Sequence, residues 1–117
     1  MNTSEKYHLV ISPEAQEDIR GIVFYIAREL SAPQAALRLA DDFQKAIGTL
    51  SEMPERIKLL DESPWRDAGI RKLSVRNYYV YFWIDDATVS VKVLSVIYAR
   101  REQSAEMKNR KMDQHRQ

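Results

Sequence analysis

Five cations bracket a run of tyrosines in the second half of this chain. Arg71, Lys72 and Arg76 precede Tyr78, Tyr79 and Tyr81, while Tyr98 is followed at once by Arg100 and Arg101. Side chains of these types can do two things. Guanidinium and ammonium groups neutralise phosphate, and phenol rings stack on bases, which suits a nucleic-acid backbone. The same cations can also stabilise charge building on a phosphorane while the 2′-OH of an RNA attacks, a cleavage that needs no histidine. The plainer reading of these residues is tyrosines that fill the core and arginines that form a solvated rim, and composition alone favours it.

Other chemistries are excluded or poorly supplied. The chain has no cysteine, so it forms no disulfide, thiolate metal site or cysteine nucleophile. Its two histidines, His8 and His115, sit on the first strand and in the polar C-terminal tail, so neither reads as a paired general base. Asp41/Asp42 and Asp85/Asp86 fall on a helix surface and in a turn, where solvation and turn chemistry account for them. No metal and no cofactor is expected.

The composition of the 117 residues, 44% apolar and 30% charged, is that of one soluble globular domain. The N-terminal sequence lacks the apolar run of a signal peptide and no segment is long enough to span a bilayer, so a cytoplasmic location without membrane contact is expected. Charge is distributed unevenly. Pro13–Glu55 holds eight acids and four bases, whereas Arg56–Arg101 holds nine bases and five acids. The basic half therefore suits an acidic or polyanionic partner, unless the two halves simply balance one another across a packed interface.

The elements that must position these residues follow from periodicity. Tyr7–Ile11 is apolar and β-branched, a first strand. Ser12-Pro13-Glu14 supplies an N-cap, a proline at the first helical position and an acid for the dipole. Ala15, Ile19, Ile22/Val23, Ile26 and Leu30 then form one stripe of a helix of ~18 residues. Gly21 inside it suggests close approach of a partner helix. A second helix begins at Pro33, carries Ala36, Leu39, Phe43, Ile47 and Leu50 on its apolar face, and stops at Pro54, completing an αα-hairpin. Phe24, Tyr25 and Phe43 are expected in the core or between the helices. Glu55–Ala68 reads as a surface loop.

Three strands follow, at Ile70–Val75, Tyr78–Ile84 and Thr88–Ile97, with Val89, Val91 and Val93 alternating on one face of the last. Adjacent strands would bring the cationic ends together. The expected fold is α+β, in the order β-α-α-β-β-β, with the helical hairpin on one face of a mostly antiparallel sheet and the other face open. Residues 1–102 form the domain, and 103–117 are expected to be a polar, flexible tail.

Several motifs in this order resemble the RelE/ParE toxin superfamily of bacterial type II toxin–antitoxin systems. They are Ala15-x-x-Asp18-Ile19-x-x-Ile22, Tyr25-Ile26-Ala27, Ala32-Pro33-x-Ala35-Ala36, Ala46-Ile47-x-x-Leu50-x-x-Met53-Pro54, Arg71-Lys72-Leu73, Tyr78–Tyr81 and Val96-Ile97-Tyr98-Ala99-Arg100-Arg101. The resemblance spans Tyr7 to Glu102 and implies a small toxin neutralised by a cognate antitoxin. RelE-type members are ribosome-dependent mRNA endonucleases, for which Arg71, Lys72, Arg100 and Arg101 would be the catalytic cations. The chain lacks a tyrosine beyond Glu102, and tyrosine stands where those toxins carry a central-strand arginine.

ParE-type members bind and poison DNA gyrase without cleaving RNA. The long hairpin, Tyr-Ile-Ala, Ala-Pro-x-Ala-Ala and the Arg-Arg-Glu ending resemble this branch. The target-binding residues would then be Arg71, Lys72, Arg76, Tyr78, Tyr79, Tyr98, Arg100 and Arg101. A third reading is a nontoxic nucleic-acid-binding or interaction module.

Overall fold

A computed structural model describes residues 6–102 of the chain, the last two through their backbone alone. The expected tail at 103–117 lies outside the described residues. Strand β1 (His8–Ile11) leads into helix α1 (Pro13–Phe24), a π-helical turn (Tyr25–Glu29) and helix α2 (Pro33–Gly48). Strands β2 (Arg71–Val75), β3 (Tyr78–Asp85) and β4 (Ser90–Tyr98) follow, and a single turn, α3 (Ala99–Glu102), ends the described chain. The sheet order is β1-β4-β3-β2, with β1 parallel to β4 and the other pairs antiparallel. This is the expected α+β arrangement, a helical hairpin on a mostly antiparallel sheet. Among the described residues no helix is long and apolar enough to cross a membrane.

Ser12 caps α1 by accepting the Ala15 N–H at 3.0 Å, and Pro13 occupies the position where a missing N–H costs nothing. The helix does not continue to Leu30 in one register. From Tyr25 it widens into the π turn, in which the Leu30 N–H reaches the Tyr25 carbonyl at 3.2 Å. The extra residue per turn rotates the apolar stripe. Ile19, Ile22 and Ile26 stay against the core, whereas Phe24, Tyr25 and Leu30 are exposed, contrary to expectation.

Gly21 also departs from expectation. A Cβ built there meets nothing within 4 Å, so no partner helix needs its small size. Gly21→Ala should therefore raise stability by ~0.5–1 kcal/mol, through the helix propensity of alanine, as measured by urea denaturation.

One main cluster holds the layers together. Ala15, Leu39, Phe43, Ile47 and Leu50 from the helical side meet Val75, Val80, Phe82, Val91, Val93 and Val96 from the sheet. The valines on β4 change parity because of a bulge. Tyr81 pairs with Ser95 but Phe82 with Val93, leaving Leu94 as an extra residue. That shift explains why the alternation of the strand dissolves into the apolar run Leu94–Ile97. Val89, expected beside Val91 and Val93, instead lies in the turn before β4 at φ 50°.

The bulge loosens the ladder, and the segment around α1 satisfies it. Ser12 donates its N–H to the Val93 carbonyl at 3.0 Å and its hydroxyl to the Leu94 carbonyl at 3.1 Å. Asp18 accepts the Val96 N–H at 2.9 Å. Replacing Asp18 by Ala would leave a partly buried N–H without this acceptor, a loss of about 1–3 kcal/mol. Asp18→Asn keeps an acceptor oxygen and should recover most of that loss in the same denaturation experiment.

The face of the sheet away from the helices is not open, as the sequence suggested. The segment between α2 and β2 folds back over it. Leu59 bridges Arg71, the Leu60 N–H bonds to the Ile70 carbonyl at 2.9 Å, and Leu60 and Ile70 pack on the buried Tyr81 and Ile97. The stretch read as a surface loop is thus a partial roof.

Candidate macromolecular interface

The antiparallel register does not gather all the cations at one place. Arg71 pairs across from Phe82, and Val75 from Tyr78, so Arg71 and Lys72 stand at one end of β2 and Arg76 just beyond the other. Four residues of antiparallel strand separate the two ends by ~14 Å. Pleating also sends Arg71 and Lys72 to opposite faces.

Arg71 lies on the helix-side face and is spent on structure. Its Nη1 donates to the carbonyls of Glu55 (3.3 Å) and Ile57, fastening the chain after α2 to the sheet. Lys72 lies on the other face with its Nζ 4.1 Å from the Tyr79 ring centre, and the Tyr79 and Tyr81 rings meet edge to face at 6.4 Å. Tyr81 is buried beneath the roof.

The remaining residues do converge. Arg76 and Asn77 form the two-residue turn between β2 and β3, with Arg76 at φ 53°. Such a turn matches strand twist when its first residue takes positive φ. Tyr78 pairs with Tyr98, and the Ala99 N–H bonds to the Asn77 carbonyl at 2.7 Å. This bond carries the chain from β4 into α3 and sets Arg100 beside the turn. Asn77, Tyr98, Ala99 and Arg100 line a shallow concavity there. Arg101 follows within α3.

Phe43 anchors this end from beneath. Its ring meets Tyr78 at 5.5 Å, and Tyr78 meets Tyr98 at 5.5 Å, so a ladder of three rings runs from the core to the surface. Burial, with the nearby Tyr98, pushes the Tyr78 phenol above its ordinary range. It stays protonated at neutral pH. Arg76 forms an ion pair with Asp42 of α2, a largely exposed contact that contributes at most ~1 kcal/mol. Arg100 is exposed and makes no ion pair among the described residues.

The structure thus brings Arg76, Tyr78, Tyr98 and Arg100 to one end of the sheet and sets Arg71, Lys72 and Tyr79 apart from them. Reading residue types missed Asn77, whose position between Arg76 and Tyr78 in a two-residue turn was the available signal. It also missed Asp42, which no local pattern ties to Arg76. Among the described residues, no group of three or more His, Asp or Glu side chains could hold a metal ion. His8 is exposed on β1, and His115 lies outside the described residues.

The geometry is matched by known proteins. Residues 9–103 fit the family described as the ParE toxin of the type II toxin–antitoxin system parDE. Among solved structures, the chromosomal ParDE toxin–antitoxin system of P. aeruginosa aligns with a TM-score of 0.67 at 18% identity, covering 81% of this chain and 98% of that one. The toxin–antitoxin complex RelBE2 from Mycobacterium tuberculosis gives 0.56 at 21% identity, covering 80% and 98%. The E. coli toxin RelE, in a free form with two arginines changed to alanine, gives 0.56 at 20% identity, covering 84% and 88%. No curated protein matches the sequence.

Proposed function

Because the chain belongs to the ParE toxin family of type II toxin–antitoxin systems, we propose that it arrests growth by gripping DNA gyrase through the cationic end of its sheet. It is a toxin of the wider RelE/ParE group, and its partner is a cognate antitoxin. Arg100 and Arg101 are the leading contacts with the target, with Tyr98 and Asn77 beside them.

The commitment of Arg71 to the Glu55 and Ile57 carbonyls carries this reading. An RNA-cleaving site needs several cations converging on one phosphate, with a group to move the proton. Here Arg71 is tied down and Lys72 faces the other side. What remains for a partner is a surface of tyrosine rings with the exposed Arg100, suited to holding a macromolecule. Antitoxin binding over this end would explain neutralisation, since the cations attract an acidic segment.

The test is gyrase supercoiling with purified chain. Inhibited supercoiling, or cleaved DNA trapped on the enzyme, is expected. Undisturbed gyrase together with codon-dependent mRNA cleavage in a translating extract would replace this reading with the endonuclease one.

A further inference from the structure

Arg76 stands where a hairpin turn does not ask for an arginine. Its φ of 53° suits glycine and burdens most side chains, while an asparagine, which tolerates that region, comes only after it at Asn77. Backbone strain of this kind gathers where a side chain is needed in place. The guanidinium reaches back to α2, where its Nε donates to Oδ2 of Asp42. One residue on, Phe43 meets Tyr78, so two neighbours on α2 clasp the two residues that flank Asn77. The clasp engages only one edge of the guanidinium. Arg76 makes no other side-chain hydrogen bond among the described residues, and its side chain is 61% exposed against 32% for Asp42. The two Nη groups are therefore left to water, as a fork that can take an oxyanion.

We propose that Asp42 is a positioning and specificity-determining residue for this end of the sheet, resting on the gyrase reading above. It holds the Arg76 fork in one direction, and its negative charge cancels the long-range pull of Arg76 on a polyanion. The neighbouring charges leave both tasks to Asp42. Asp41 is paired with Lys45 at 3.0 Å, and Asp18 of α1 accepts the Val96 N–H. Arg38, one turn before Asp42 on the same side of α2, is exposed and, like Arg100, makes no ion pair among the described residues. Asp42 is thus the one carboxylate, among the described residues, that pairs with an arginine of this end. A duplex DNA responds to the summed charge, so the pair weakens its hold. A partner that sets a carboxylate or phosphate at the fork itself gains from an arginine already oriented, because less side-chain freedom is lost on binding. One ion pair therefore opposes non-specific binding and favours the specific contact.

The experiment compares the native chain, Asp42→Asn, Asp42→Glu, Arg76→Gln and Asp42→Asn/Arg76→Gln in gyrase supercoiling and in binding to a random-sequence DNA duplex over a salt series. Thermal melts run alongside, and because the pair is largely exposed the variants should melt within a few degrees of native. Asp42→Asn is expected to bind the duplex about threefold tighter at low salt, with a log–log salt slope steeper by ~0.9, the mark of one more phosphate contact. The same variant should need about threefold more protein to inhibit gyrase. Asp42→Glu should return both readouts towards native. In the double variant the steeper slope should vanish, since the freed arginine is gone, and inhibition should match Arg76→Gln by itself. Asp42→Asn with a native salt slope, or inhibiting at the native concentration or below, would overturn the proposal. So would an Asp42→Asn chain that inhibits as native but escapes the antitoxin, which would assign the pair to the antitoxin. Gyrase binding measured with and without DNA separates the sources of the oxyanion: a loss seen without DNA supports the proposal with a protein carboxylate, and a loss seen only with DNA supports it with a phosphate. A native chain that leaves gyrase untouched would sink the gyrase reading, and the salt series would then uphold or overturn the restraint that Asp42 places on polyanions.

Discussion

Phe43→Ala is expected to lower the unfolding free energy by about 3–5 kcal/mol, the range for emptying a buried aromatic site. Phe43 is 1% exposed, lies in the main cluster and is the inner member of the ring ladder that reaches Tyr78 and Tyr98. The loss has two parts, the apolar area returned to water and a cavity that the surrounding valines and leucines close only partly. A domain of this size has ~5–15 kcal/mol in total, so the variant should melt far below the native chain or fail to fold. Phe43→Leu keeps most of the volume and should recover much of the difference. The ladder gives a second readout: Tyr78 loses the ring beneath it, so Phe43→Leu should weaken target inhibition more than its stability alone explains. Urea denaturation monitored by circular dichroism checks the first claim, and supercoiling inhibition the second.

Arg100→Ala is expected to raise the concentration needed for gyrase inhibition by about 30-fold while leaving the melting temperature unchanged. Its side chain is exposed and has no ion-pair partner among the described residues, so the fold does not depend on it. An arginine at the centre of an interface contributes ~2 kcal/mol or more, and 1.4 kcal/mol corresponds to tenfold. Arg76→Ala supplies the contrast. Its guanidinium is engaged by Asp42, so a smaller functional loss is expected, with a stability loss below ~1 kcal/mol. If Arg100→Ala and Arg101→Ala both inhibit at native concentration, the sheet end is not the contact.

The elements were legible because each carries a local signature. Ser12-Pro13 caps α1, the spacing of Ala36, Leu39, Phe43 and Ile47 marks the buried face of α2, and the aromatic run at Tyr78–Ile84 belongs to an inner strand. What was hidden depends on phase and on distant partners. A π turn from Tyr25 inserts one residue after the stripe of α1, so Leu30 reads as core and emerges in water, while Phe24, on the opposite side of α1 from Ile22, is exposed by ordinary helix geometry. A bulge does the same to β4 at Leu94.

The roof over Tyr81 and Ile97 comes from an aperiodic segment whose meaning lies only in its long-range contacts. For the candidate site, residue type pointed to a set of cations, but only the register separates Arg71 from Arg100. Nothing in the sequence indicated that Arg71 would bind backbone carbonyls 14 and 16 residues upstream.

Stoichiometry is the most direct test of a chain that grips its target and does not turn it over. The purified chain is titrated in parallel into a supercoiling reaction containing a known concentration of active gyrase and into a translating extract with labelled mRNA. Inhibition that becomes complete only as the chain approaches the concentration of gyrase, with the mRNA intact throughout, is the expected result. Cleavage of many mRNA molecules per chain, with supercoiling undiminished, would contradict the account.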